Sequence, residues 1–352
     1  MELKIGNLIA KLPIIQGGMG VGVSLSNLAG NVAKHGAIGV ISAAQPGYLE
    51  KDFEKNTLQA NLRALKNHIK KAKEISNNGI IGVNIMVAMK NYKEFVEASI
   101  EGGADLIISG AGLPLKLPEY IKNSEIKILP IVSSSKATKL ILSYWNKHYN
   151  RVADGIIVEG PKAGGHLGFK ADTIESDIVN FDNNVKDIIE TIKNLEFEYK
   201  KEIPVIVAGG VFDSNDIKKY MELGAKGVQI GSRFVATYEC DVDMKFKEAY
   251  LNCKKSDIKI VKSPVGMPGR AINNDFLRKI NDETNKINKC YNCLVPCNPS
   301  TTPYCISEAL INAARGDINN GLIFCGSNAY RINELVTVKH LMQTLKDEIL
   351  AN

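Results

Sequence analysis

No stretch of this 352-residue chain approaches the run of about 18 apolar residues that a membrane-crossing helix needs. The opening Met1-Glu2-Leu3-Lys4 lacks a basic segment followed by an apolar core, so no secretory signal is expected and the chain reads as soluble and cytoplasmic. Charge of one sign is scarce too: 44 basic residues are scattered among 38 acidic ones, a net of +6. A nucleic-acid surface concentrates its basic residues in a stripe. The one dense run here, Lys66, Lys70, Lys71 and Lys73, has the spacing of a single exposed helix face. Neither nucleic acid nor membrane is therefore an expected partner. Seven cysteines, an odd number in a long chain without a signal, argue for thiols or metal ligands over a disulfide framework. Hydrophobic residues at 45% and charged residues at 23% exclude disordered and fibrous classes.

What is present is a regular series of short apolar runs bounded by Gly, Pro and Asn. They fall at residues 14–16, 37–42, 80–86, 106–109, 127–133, 155–159, 204–208 and 227–230. Most are continuously apolar, as parallel strands covered on both faces are. Helical spacings fill the gaps at 25–34, 57–76, 92–101, 136–147, 185–199 and 215–223, while Pro114 and Pro118 leave room only for a short helix at 119–122. Eight strand–helix units predict an α/β fold, a (β/α)8 TIM barrel, with an open doubly wound sheet as the rival. The expected organisation is a barrel over residues 1–240 and a C-terminal extension over 241–352. The extension carries helices at 242–253, 306–315 and 333–351, has no strand series, and packs on the barrel. Segments 263–270 and 290–305 read as loops or caps.

Barrels of this kind place their chemistry on the loops after the strands. Gly209-Gly210 follows the seventh expected strand and Gly231-Ser232 the eighth, the pair of loops that holds a phosphate in such barrels. Bare glycines let backbone N–H groups approach an anion, and helices starting just beyond would add their dipoles. Tight turns alone are the plainer account. His166 is the one histidine in a glycine-rich loop, and an ordinary pKa of about 6.5 suits proton transfer at neutral pH. Capping its own loop is the plainer role. Asn84, inside the apolar third run, needs partners that a ligand or the core would supply.

Together these residues carry a resemblance. Pro13-Ile14-Ile15-Gln16-Gly17-Gly18-Met19-Gly20, Gly82-Val83-Asn84, Ser109-Gly110-Ala111-Gly112, Ala163-Gly164-Gly165-His166-Leu167-Gly168, Ala208-Gly209-Gly210 and Gln229-Ile230-Gly231-Ser232-Arg233 are similar to the nitronate monooxygenase (2-nitropropane dioxygenase-like) family. That family includes flavin-dependent enoyl-ACP reductases. The resemblance spans roughly residues 5–240; each piece alone is weak and the ordered set specific. It implies a TIM barrel holding FMN, with Gly18 and Met19 lining the flavin, Asn84 reaching its ring and Gly165 beside it. Gly209, Gly210, Gly231 and Ser232 would hold its phosphate, with Gln229 in the same segment. His166 would be the catalytic histidine. The implied activity is nitronate monooxygenase-type oxidation of alkyl nitronates. The alternative is an NAD(P)H-dependent reductase of enoyl-ACP or quinone substrates. A flavin-free phosphate-binding lyase or isomerase is the rival of another class. The expected partner is a small-molecule substrate, with a homodimer as one option for assembly.

The chain departs from the family at two places. Pro161 and Lys162 stand where Glu is common before Ala-Gly-Gly-His, and Ser133-Ser134-Ser135 stands where some members place a lysine. Beyond the barrel, Cys290, Cys293, Cys297 and Cys305 fall within sixteen positions. Four thiolates so spaced suit an iron–sulfur cluster or zinc, and equally suit reduced thiols packing a proline-rich loop. Cys325 is a substitute ligand in the first reading. The spacing also resembles a cluster motif of reductases related to old yellow enzyme.

Overall fold

The protein is described from a computed structural model, which covers residues 2–350 apart from positions 123, 265, 283–286 and 288. Met1, and Ala351 at the expected end of the last helix, lie outside the described residues. The chain opens with an antiparallel hairpin, β1 (Leu3–Ile5) and β2 (Leu8–Ala10). The barrel strands follow: β3 (Ile14–Gln16), β4 (Gly39–Ser42), β5 (Ile81–Met86), β6 (Leu106–Gly110), β7 (Lys127–Val132) and β8 (Ile156–Glu159). After the two-residue β9 (Gly165–His166) come β10 (Val205–Ala208) and β11 (Gly227–Ile230). All eight expected strands are present, most within a residue or two of the expected ends.

The barrel strands pair in the order β3-β11-β10-β8-β7-β6-β5-β4, all parallel. The two ends of that row meet: Gln16 N–H donates to Ile38 O at 2.9 Å and Ile38 N–H to Ile14 O at 3.0 Å. The Gln16 side chain completes this thin seam. Its Oε1 accepts Val40 N–H at 3.0 Å and its Nε2 donates to Val40 O at 3.2 Å. The sheet is thus a closed (β/α)8 barrel. Inside it Ile15, Val40, Leu106, Ile108, Leu129, Ile157 and Ile206 form one apolar plug, floored by Leu3, Ile5 and Ala10 of the hairpin. The hairpin was not foreseen, and it seals the end opposite the strand carboxyl termini.

Helices α1 (Ser26–Lys34), α2 (Thr57–Ser76), α3 (Tyr92–Gly102), α4 (Leu117–Tyr120), α5 (Ser135–Tyr149), α6 (Ile174–Tyr199) and α7 (Ser214–Glu222) accompany the strands. In α2 the buried Ala60, Ala64, Leu65, Ile69 and Ala72 recur at three and four positions, and Asn77 ends the helix in the left-handed conformation at φ 53°. On its outer side Lys66 pairs with Glu101 and Lys73 with Asp105, while Lys70 and Lys71 are exposed. The basic run is a solvated face. Helix α6 starts eleven residues earlier than expected, at Ile174. Its polar first half hid the apolar spacing of Ile174, Phe181 and Val185, all buried.

The short α8 (Ser232–Val235) follows the last barrel strand, and the tail holds α9 (Met244–Leu251), α10 (Asp275–Asp282), α11 (Ile306–Ala314) and α12 (Val338–Leu350). It also holds an antiparallel pair that the glycine- and proline-rich sequence concealed, β12 (Ile258–Lys262) and β13 (Pro268–Ile272). The expectation of a strand-free tail with a loop at 263–270 is corrected accordingly. Strand β13 pairs with β9, Gly269 opposite His166 and Arg270 opposite Gly165. The tail is therefore bonded through its main chain to the loop after β8, and one hydrophobic cluster runs from Leu12 to Ile349. Among the described residues, no helix is long and apolar enough to cross a membrane.

Candidate active site

Side chains alternate across a strand, so the residue two beyond an inward core position also points inward. At the carboxyl ends of the barrel strands that position turns polar: Ser42 follows Val40, Asn84 follows Gly82, Glu159 follows Ile157 and Gln229 follows Gly227. The register aligns them as a rim, Ser42 beside Asn84, Glu159 beside Ala208, and Ala208 beside Gln229. Above the rim lies a cavity of about 440 Å³, walled by the glycine loops and by tail residues Phe324 to Asn328.

The ten residues singled out from the sequence all line this one cavity. Toward the first and third strands, a Cβ on Gly18 would stand 2.4 Å from Asn84 Cβ, so the glycine is what lets this loop cross the amide. The Asn84 side chain has no hydrogen bond among the described residues, and Gln229 Oε1 is buried without a partner. Met19 is fixed by Ser24, whose Oγ accepts Met19 N–H at 2.7 Å. Toward the seventh and eighth strands, the N–H groups of Gly164, Gly209, Gly210 and Gly231 find no protein acceptor among the described residues. Gly209 and Gly210 reach this arrangement at φ 89° and 98°, a region open chiefly to glycine.

The expected helix dipoles are corrected. The Asp213 carboxylate caps α7 by accepting Asn215 and Asp216 N–H, at 3.1 and 3.2 Å, so that helix end is already occupied. Helix α8 is a single turn. The loop N–H groups themselves are what this corner presents.

The tail closes the same corner, which the sequence reading missed. Ser232 Oγ accepts Gly326 N–H at 3.0 Å, Ser327 N–H donates to Lys162 O at 3.1 Å, and Asn328 Nδ2 donates to Gly210 O at 2.7 Å. A Cβ on Gly164 would come within 2.6 Å of the Cys325 main chain. The run Gly326-Ser327 after an apolar stretch has the same form as Gly231-Ser232, and that was the available signal. Arg270, buried, donates to Pro161 O at 2.8 Å and Ala163 O at 2.5 Å and so sets the shape of the loop before His166.

His166 Nε2 lies 2.7 Å from Ser263 Oγ, and its ring meets Phe324 edge to face at 5.1 Å. Burial lowers its pKa to about 4, so the imidazole is neutral at pH 7. Glu159 was also missed, although a carboxylate ending an apolar strand is the same kind of signal as Asn84. Desolvation raises its pKa to about 7.

The cysteines lie elsewhere. Cys290, Cys293, Cys297 and Cys305 do not line the cavity, and no three His, Cys, Asp or Glu side chains among the described residues are grouped to hold a metal ion. Their segment runs beside the loop after β5, with Lys90 N–H donating to Cys293 O at 3.0 Å and Val295 N–H to Ala88 O at 2.8 Å. Burial pushes the Cys305 thiol up to about 11, which keeps it protonated. The metal expectation thus finds no support among the described residues. Cys325, the substitute ligand, is buried against the cavity wall.

A family model described as nitronate monooxygenase matches residues 2–348. A probable nitronate monooxygenase of Staphylococcus saprophyticus is 25% identical, over 80% of this chain and 81% of that protein. The structure of FabK from Thermotoga maritima superposes with a TM-score of 0.72 at 25% identity, covering 97% of this chain and 94% of that one. A nitroalkane oxidase from Streptomyces ansochromogenes, at 18% identity and a TM-score of 0.73 over 97% and 96% of the two chains, shares the fold. The chain belongs to the nitronate monooxygenase family and is an oxidoreductase of that family.

Proposed function

We propose that this protein is an FMN-dependent oxidoreductase that oxidises alkyl nitronates. The observation that carries the reading is the two-ended character of one cavity. At one end four glycine N–H groups lack acceptors among the described residues, and at the other Asn84 and the orphaned Gln229 Oε1 await a polar ring. A phosphorylated flavin fits both ends. Gly209, Gly210, Gly231 and Ser232 would hold its phosphate, Gly18 and Met19 would border its ring, and Asn84 and Gln229 would bond ring heteroatoms. Bound FMN would supply the two-electron chemistry, taking electrons from the substrate and passing them to dioxygen.

The chain's own contribution is binding and proton handling. A neutral imidazole at His166 accepts a proton from a carbon acid, or donates its N–H to a nitronate oxygen. Phe324 packs against the edge of that ring, and Ser263 holds Nε2, so the imidazole stays turned toward the cavity. The apolar side chains of Met86, Leu310 and Leu322 line the remaining wall and exclude water from the reacting carbon.

A second reading rests on Ser133, which lines the cavity at the departure where some members of the family place a lysine. It is NAD(P)H-dependent reduction of an enoyl thioester or quinone. Anaerobic rapid mixing separates the two. Flavin bleaching by propionate-3-nitronate and not by NADH or NADPH supports the first reading; bleaching by the nicotinamides alone overturns it in favour of the second.

A further inference from the structure

The charge balance of the cavity points to one side chain that neither the family pattern nor the glycine motifs assign. A phosphate monoester carries roughly −1.5 to −2 charges at neutral pH. Backbone N–H groups answer this only with partial charges. Among the described side chains lining the cavity, Lys162 is the one permanent cation; Arg270 and Arg233 stand outside the lining.

The placement of Lys162 is built into the fold. Its Cβ and Cδ lie 2.8 and 3.0 Å from where a Cβ on Gly210 would sit, so its stem crosses the open face of that glycine. Its carbonyl is fixed by Ser327 N–H at 3.1 Å, while the Gly210 carbonyl is fixed by Asn328 at 2.7 Å. The main chain of Lys162 and the glycine beneath its stem are thus both anchored to the same stretch of tail. The ammonium group has neither a hydrogen bond nor an ion pair among the described residues. Surface lysines here that have an acid in reach use it, as Lys66, Lys73 and Lys219 do. Lys162 pairs with none among the described residues, and its stem lies against Gly210, one of the glycines whose N–H has no acceptor there.

We propose that Lys162 is a binding residue for the cofactor's phosphoryl group, its ammonium neutralising the charge that the glycine loops cradle. The proposal rests on the FMN reading and adds to it a residue that this chain carries where its family commonly has an acid. The reversal of charge is compatible with the fold because residue 162 is exposed at the cavity mouth and held there only through its main chain.

The test compares two flavins that differ only in the phosphate. Flavin-free protein is titrated with FMN and with riboflavin, reading the quenching of flavin fluorescence, for the wild type, Lys162→Met and Lys162→Arg. The loss of one charge-assisted contact predicts that Lys162→Met weakens FMN binding about tenfold. Riboflavin binding is unchanged, Lys162→Arg restores the FMN affinity, and added salt weakens FMN binding less in Lys162→Met than in the wild type. Unchanged FMN affinity in Lys162→Met, or equal weakening of both flavins, overturns the proposal while leaving the FMN reading intact. A wild-type protein that binds neither flavin overturns the FMN reading itself, and the proposal with it.

Discussion

His166 and Ser263 meet at 2.7 Å although 97 positions separate them. The pairing of β13 with β9 brings them together, setting Gly269 against His166 and leaving Ser263 at the turn that precedes β13. A hydroxyl both donates and accepts, so Ser263 is compatible with either neutral tautomer of the ring and fixes its orientation in both. The orientation of this imidazole is therefore set in part by the tail.

His166→Ala removes the imidazole proposed to handle protons without touching the glycine corner. The variant should stay yellow and lose about 10² to 10⁴ in turnover, the range for lost acid–base assistance. Ser263→Ala keeps the imidazole and should cost less. Steady-state turnover with the flavin content measured in the same samples checks both; full activity in His166→Ala removes the residue from the mechanism.

The two perturbed groups at the barrel mouth make opposite contributions with pH. His166, lowered to about 4 from 6.5, takes up its proton more readily in the unfolded chain. Its contribution to stability is complete above 6.5 and is lost as pH falls toward 4. Glu159, raised to about 7 from 4.5, keeps its proton longer in the folded protein. Its contribution is complete below 4.5 and is lost as pH rises through 7. Glu159→Gln should therefore raise the urea midpoint of the flavin-free protein at pH 8 and leave it little changed at pH 4.5. Equal effects at both pH values would mean that the carboxyl does not titrate in this window.

The barrel was legible because strands buried on both faces become continuous apolar runs, such as Leu106–Gly110 and Val205–Ala208, that glycine and proline punctuate. The glycine corner was legible because only glycine occupies φ 89° and 98° comfortably at Gly209 and Gly210. The tail's part was not legible. Asn328 reaches Gly210 across 118 positions, and no local pattern encodes such a contact. Strand β13 begins on Pro268 and continues through Gly269, so its own residues read as a loop. Lys162 was visible only as a departure from a family pattern; its place against Gly210 needed the structure.

Gly210→Val introduces a branched side chain at φ 98°, where the Cβ position already lies 2.8 Å from Lys162 Cβ. The loop must shift and the unpaired N–H groups with it. The purified variant should be colourless, with an absorption spectrum lacking flavin bands, while its far-ultraviolet circular dichroism stays that of an α/β barrel. A yellow variant with native flavin content would separate the phosphate from this corner.

Arg270 tests whether the tail shapes the loop that carries His166. Its guanidinium is buried and donates to Pro161 O and Ala163 O, on either side of Lys162. Arg270→Met fills much of the same volume and withdraws both donors. Hydrogen bonds to charged groups contribute about 1.5–3 kcal/mol each, and two carbonyls left unpaired together predict a loss of a few kcal/mol in urea denaturation. The more telling result concerns the site: with the 161–163 turn released, Lys162 and Gly164 lose their fixed spacing from Gly210, so flavin should dissociate faster than from wild type. A stopped-flow dilution into excess flavin-scavenging apoprotein measures that rate. If Arg270→Met lowers stability yet releases flavin at the wild-type rate, the arginine supports the fold alone and the loop before His166 is held by its contact with the 325–328 segment.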